Sequence, residues 1–280
     1  MRKLPWLSEV ERAKVNTRIA RTMAQEVYKR HWGAPAPGRS PGGASRFYIM
    51  DIRGLFMAAG ILRYTLAQFA TRVFYRGQSK DWEMRAALFR GASSPAAAKD
   101  RLRWLDMAVD AASPVFDPPS APDVREALLQ HYGLPTTWLD VVDNAQMACW
   151  FAAHRGDSRH ASSARDDGSG YVSALACPTG ASAYARALDL RTKPSEWLRP
   201  HVQQAWALRS GKPETRLGSL SHLHVCTFIV PRPLLRQWCA YEALPPEVVF
   251  PGENEDKGLY YWSKARTELE LAGFYPPPWL

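Results

Sequence analysis

Between Gln130 and Asp140 the chain reads Gln-His-Tyr-Gly-Leu-Pro-Thr-Thr-Trp-Leu-Asp. This is a helix end stopped by Gly133 and Pro135, followed at once by a short strand that closes on a carboxylate. A helix broken and turned so abruptly exposes polar groups at one point. His131, Thr136, Thr137 and Asp140 can therefore converge on a pocket, although Asp140 equally suits a structural turn or the cap of a helix beginning near Asn144.

The flanking segments predict a mixture of helices and strands. Aromatic and β-branched residues in Arg72-Val73-Phe74-Tyr75-Arg76-Gly77 predict a short strand ended by the Gly-Gln step. Further strands are expected at Tyr171 to Cys177 and at His222 to Val230, the latter stopped by Pro231. Helical patterns run over Met50 to Phe69, Pro95 to Ala111, Pro122 to Tyr132, Asn144 to His154 and Leu259 to Ala272, the last ending at Gly273. Pro114 to Pro122 reads as a Pro-rich turn, and Arg155 to Gly170, nearly devoid of apolar residues, as an exposed loop. Helices and strands do not alternate regularly, so an α+β fold is expected rather than a doubly wound sheet.

At the N-terminal end, Val10, Val15, Ile19, Met23 and Val27 space an amphipathic helix over Ser8 to Trp32, with Ser8 and Glu11 as a capping box. Gly33 to Ser45 repeats Pro and Gly and reads as a flexible connector. Residues 1–45 are thus expected to form a helical arm and linker, and 46–280 the main domain.

With 280 residues, 46% of them hydrophobic and 11 Trp among them, there is ample material for a core. The four cysteines lie far apart in sequence, as reduced, buried thiols rather than a disulfide framework would. The first residues lack an apolar signal region, and no run of about 20 apolar residues occurs, so a cytoplasmic protein without membrane contact is expected. A net charge of +9 favours encounter with polyanions, although no basic cluster concentrates it.

Phe74-Tyr75-Arg76-Gly77-Gln78 places an arginine at a strand end beside a glycine, where a planar charged fork can hold phosphate and the backbone can approach a ligand closely. Gln146 to Ala153 is an apolar helix whose aromatics read as core, with Trp150 able to border a site. His201, His222 and His224 lack neighbouring carboxylates, so no metal site is expected. Nucleophile-elbow, P-loop, zinc-protease, dinucleotide-fingerprint and deaminase motifs are all absent.

Together these segments resemble the FRG family, named for a step like that around Arg76 and Gly77, with a middle close to Q-H-Y-G-x-P-T-R-x-L-D-W-[ST] and then A-x-x-F-A. The chain matches at Gln130, His131, Tyr132, Gly133, Pro135, Thr136, Leu139 and Asp140, and again at Ala148, Phe151 and Ala152. It departs at Thr137, where the family tends to have Arg, and at Val141 and Val142, which replace Trp and Ser or Thr. Arg199-Pro200-His201-Val202-Gln203-Gln204 looks like a later R-x-x-x-Q-Q element of the family, and Lys264 falls in a helix like its terminal one.

The layout of FRG domains is in turn similar to ADP-ribosyltransferases, an analogy at the level of fold. It implies a small mixed or antiparallel sheet flanked by helices, NAD as co-substrate, and no metal. Under this resemblance Arg76, Asp140 and Gln204 are the catalytic candidates: Arg76 would grip the NAD pyrophosphate or ribose, and Asp140 or Gln204 would polarise the ribose. Tyr75, Gly77, Gln78, His131, Thr136 and Trp150 would complete the NAD site. Glu268 and Glu270, the late carboxylates, read better as an exposed helix face. The implied role is a toxin or phage-defence effector that modifies a nucleic-acid or protein acceptor and is restrained by a cognate antitoxin or inhibitor protein. The alternatives are an NAD glycohydrolase and a catalytically silent nucleotide- or protein-binding module.

Overall fold

The computed structural model describes residues 4–41, 43–115, 121–156, 161–163, 168–180, 182–193, 196–211, 218–241 and 244–271. Most of the Pro114–Pro122 turn, two parts of the Arg155–Gly170 segment, and Gly273 lie outside the described residues, as does the Glu268 side chain.

The fold is α+β. Eight strands form one mostly antiparallel sheet in the order β1-β2-β10-β7-β3-β4-β9-β8. They are β1 (Gly33–Arg39), β2 (Ser45–Ile49), β3 (Thr71–Gln78), β4 (Leu139–Val142), β7 (Ser169–Pro178), β8 (Ala185–Asp189), β9 (Ala205–Ser210) and β10 (His224–Pro231). Only the β2–β10 pair is parallel. Two short strands, β5 (His154–Gly156) and β6 (Ala161–Ser163), pair with each other inside the segment expected to be a loop. The helices are α1 (Glu9–Met23), α2 (Ile52–Ala67), α3 (Pro95–Ala111), α4 (Pro122–Gln130), α5 (Ala145–Ala153), α6 (Leu198–Val202), α7 (Arg232–Tyr241), α8 (Pro246–Val249) and α9 (Lys257–Leu271). None of the described helices is long and apolar enough to cross a membrane. Among the described residues none of the four cysteines forms a disulfide, and three of them are buried.

Local chemistry explains these elements. Ser8 and Glu11 form the reciprocal capping box that starts α1. Ser94 accepts from the Ala97 amide and Pro95 opens α3, while Asn144, not Asp140, caps α5 by accepting from the Gln146 amide.

The connector expected over residues 33–45 is corrected by the structure, because Gly33–Arg39 is β1, antiparallel to β2 at the sheet edge. Pro is tolerated there because an edge strand leaves half of its amides without a ladder partner. Nor does α1 stand apart. Val15, Ile19, Met23 and Val27 are buried in one core with α2, α5 and the sheet, and only Val10 of the expected stripe is exposed.

Side chains along a strand alternate between faces. Val73 and Tyr75 of β3 join the core beneath α2 and α5. Phe74 instead packs with Leu139, Val141, Leu175 and Trp206 in a second core. Arg76 and Gln78 continue the Phe74 face. A third core joins α3 and α4 to Trp138, Trp197 and Trp262.

Candidate functional site

Strands β3 and β4 are paired only at Tyr75 and Val142, whereas β3 and β7 run in register over the whole of Thr71 to Gln78. Beyond Tyr75 the two strands therefore splay, and Arg76 and Gln78 stand in the opening. The Arg76 guanidinium substitutes for the missing ladder, with Nη1 donating to the Asp140 carbonyl at 2.5 Å. Its buried Nε has no hydrogen-bond partner. Burial, then repulsion from Arg90, pushes its pKa down to about 10 against the pull of Asp140, so it stays charged at neutral pH. Gln78 is 4% exposed, and among the described residues neither its amide nitrogen nor its amide oxygen has a hydrogen-bond partner. A buried polar atom without a partner costs about 1–3 kcal/mol, so this amide burdens the folded state.

A second row of side chains approaches from the broken helix. Helix α4 ends at Gln130, with His131 as its cap residue and Gly133 at φ 98°, a conformation open to glycine. Gln203 Nε2 donates to the Val249 carbonyl, which presents Oε1 to His131 Nδ1 at 2.9 Å and places the proton on Nδ1. On the other side of the ring, Nε2 faces Asp140 Oδ1 at 3.5 Å. The His131 side chain is 4% exposed and that of Asp140 38%, so the row Gln203–His131–Asp140 runs from the interior to a carboxylate at the surface. Asp140 joins the two groups through its carbonyl to Arg76 and its carboxylate to His131.

Arg76, His131 and Asp140 are thus brought together, with Gln78 two residues further along the same face of β3, and other expected site residues are not. Tyr75 is wholly buried on the opposite sheet face, donating to the Ala59 carbonyl at 3.2 Å, and burial raises its pKa far above the ordinary phenol value. Trp150 lies on that same face, stacked on His154 with its Nε1 donating to the Leu244 carbonyl, so the sheet separates it from Arg76. Gly77 serves packing: a β-carbon there would lie 1.8 Å from the Ala148 carbonyl and 2.7 Å from the Ala152 amide. The small residues of the A-x-x-F-A segment let α5 press on the strand at this glycine.

Thr136 ties the turn, donating to Gln130 Oε1 and accepting from the Trp138 amide. Thr137 binds Glu126 through its amide and hydroxyl, and Arg209 approaches that carboxylate at 3.6 Å. Gln204, at φ 52°, accepts from the Asn144 side chain at 3.3 Å, outside the His131–Asp140 row. Glu270 pairs with Arg266 on α9 at 2.9 Å. Among the described residues no group of three or more His, Cys, Asp or Glu could hold a metal ion.

Two residues escaped the sequence reading. Gln203, rather than Gln204, reaches His131; its signal was the four-residue spacing from Arg199, which places both on one side of α6, and Arg199 Nη1 does donate to the His131 carbonyl. Asp256 is fully buried and accepts from the Tyr132 hydroxyl and from the Leu198, Arg199 and Gly258 amides, with Arg199 Nε at 3.7 Å. It left no local signal.

No curated protein and no solved structure matches the chain. Residues 71–161 match the family model of the FRG domain, a stretch that runs from β3 through the broken helix to β6. The chain therefore carries an FRG domain, whose His131 and Tyr132 are tied to Gln203 and Asp256 beyond the matched residues.

Proposed function

We propose that the splay between β3 and β4 binds NAD and that the chain is an ADP-ribosyltransferase. The observation that carries this reading is Gln78, a buried amide whose donor and acceptor both lack a partner among the described residues. A primary carboxamide such as that of nicotinamide is the hydrogen-bonding complement of such a group. Arg76, charged and beside it on the strand, suits a phosphate or ribose oxygen.

Asp140 stands at the mouth of the splay, its Oδ1 3.5 Å from His131 Nε2 and, among the described residues, without a hydrogen bond to it. In the reaction the bond between ribose C1′ and the nicotinamide nitrogen breaks, its electron pair leaves with neutral nicotinamide, and positive charge develops on the ribose. A carboxylate beside the ribose stabilises that charge. An acceptor oxygen or nitrogen then bonds to C1′ and gives up its proton. The net charge of +9 favours a nucleic acid as that acceptor over a neutral or basic protein.

The test is mass spectrometry after incubation of the protein with NAD and RNA, DNA or cell lysate. Free nicotinamide together with an ADP-ribose adduct is the expected result. Nicotinamide without an adduct in any acceptor reassigns the chain as a glycohydrolase, and release of neither sinks the enzymatic reading.

A further inference from the structure

Four residues before Arg76, on the same face of β3, Arg72 stands at a different opening. A cavity of about 490 Å³ is lined there by Arg72, Phe74, Ala185, Ala187, Arg186 and Trp206, together with the residues that follow β7. Strand rise places Arg72 roughly 13 Å from Arg76, with Phe74 between them. The cavity exists because β8 presents the small side chains of Ala185 and Ala187 opposite Phe74 and Trp206. Its volume falls within the ~300–1,000 Å³ of small-molecule sites.

Charge gives the cavity its chemistry. The Arg72 guanidinium lies over the Trp206 ring at 4.6 Å and forms no hydrogen bond or ion pair among the described residues. The other cations nearby are engaged. Arg191 holds Asp189 at 2.9 and 2.8 Å and Asp143 at 2.9 Å, and Arg186 contacts Asp123. Among the described residues Arg72 is thus a cation with no hydrogen-bonded partner, its charge felt by Asp189 and set against an aromatic wall at the edge of an apolar space. That combination suits an anion carried on an apolar or flat body.

We propose that this cavity is a second ligand site, for a phosphorylated small molecule of nucleotide type, with its phosphate on Arg72 and its body against Phe74, Ala185 and Ala187. The site does not depend on the reading of the Arg76 splay. Titration calorimetry with ADP, adenosine and inorganic phosphate tests it on the whole chain and on the variants Arg72→Ala, Ala187→Leu and Arg76→Ala.

Arg76→Ala should retain an ADP site, the cavity, whatever binds at the splay, and Arg72→Ala should weaken binding at that site roughly tenfold or more, the scale of a lost charge-assisted contact. Ala187→Leu, which fills the cavity, should weaken ADP binding further, and adenosine should bind at least roughly tenfold less tightly than ADP. Three results each overturn the proposal: ADP binding unchanged by Arg72→Ala, ADP binding lost in Arg76→Ala but retained in Arg72→Ala, or inorganic phosphate bound as tightly as ADP. Arg72 is exposed, so its variant should fold and be informative even if the overfilled Ala187 variant does not.

Discussion

The Asp256 hub and the β3–β4 splay both bury charge beside the same broken helix, and they treat it in opposite ways. In the hub, Asp256 receives a hydroxyl, four backbone amides and the flank of Arg199, so its carboxylate is satisfied from several directions. In the splay, Gln78 has no partner for either amide atom and Arg76 leaves Nε unbonded. A satisfied buried charge holds chain segments together, here α4, α6 and the start of α9. An unsatisfied one burdens the folded state by itself and becomes favourable when a ligand supplies the missing partners. Tyr132 and His131, adjacent in sequence, point one into each region.

The comparison breaks most visibly at Asp256. Asp256→Ala strands the Arg199 guanidinium, which is 0% exposed, in the interior. A cost of about 3–5 kcal/mol is expected, a large part of an ordinary domain's stability. Urea unfolding followed by circular dichroism measures it, and a loss under about 1 kcal/mol would show that the hub does not hold these segments together.

Gly77→Ala comes next. The new methyl group would collide with the backbone of α5, and overpacking of this kind costs about 1–3 kcal/mol or more. Gly60→Ala is the control, because it sits exposed in α2 with nothing within 4 Å of the added carbon, and a gain of roughly 0.5–1 kcal/mol is expected. Equal effects at the two glycines, read by thermal unfolding, would remove the packing explanation for Gly77.

These two residues also mark what the sequence could and could not disclose. The cap residues Ser8 and Ser94, with Pro95 behind the second, announce α1 and α3 because their signals are local. The motif around Gln130 announced the turn, and His131 and Asp140 do converge there. Strand β1 was hidden because Pro35 and Pro37 carry the composition of a linker, and only the edge position permits them. Asp256 was hidden because its partners lie as far as 124 residues away in sequence. Gly77 was legible as a special position, but its reason, the pressure of α5, required the packed structure.

On the splay side the signs reverse. Gln78→Leu replaces an unsatisfied amide by an apolar side chain of similar size, so stability should stay level or rise by up to about 1 kcal/mol. NAD binding and turnover should be lost together. Arg76→Ala should likewise abolish activity while moving stability by no more than about 1 kcal/mol, the worth of its bond to the Asp140 carbonyl. A marked loss of melting temperature in Gln78→Leu would place this amide among the structural groups and erase the contrast with the hub.

The smallest expected effect separates two adjacent glutamines. Gln204 is held at φ 52°, and Gly in its place relieves that backbone while giving up one hydrogen bond to Asn144. The two changes are of similar size, so the net change in stability should lie within about 0.5 kcal/mol. The cap of α5 survives, because Asn144 still accepts from the Gln146 amide. If the Gln203–His131 pair holds the imidazole beside Asp140, Gln204→Gly should keep kcat within a few-fold of wild type, whereas Gln203→Ala should lower it roughly tenfold or more with the ring and its proton no longer fixed. The reverse order of the two losses would make Gln204 the residue that acts on the ribose and would leave Gln203 as a tie to the Val249 carbonyl.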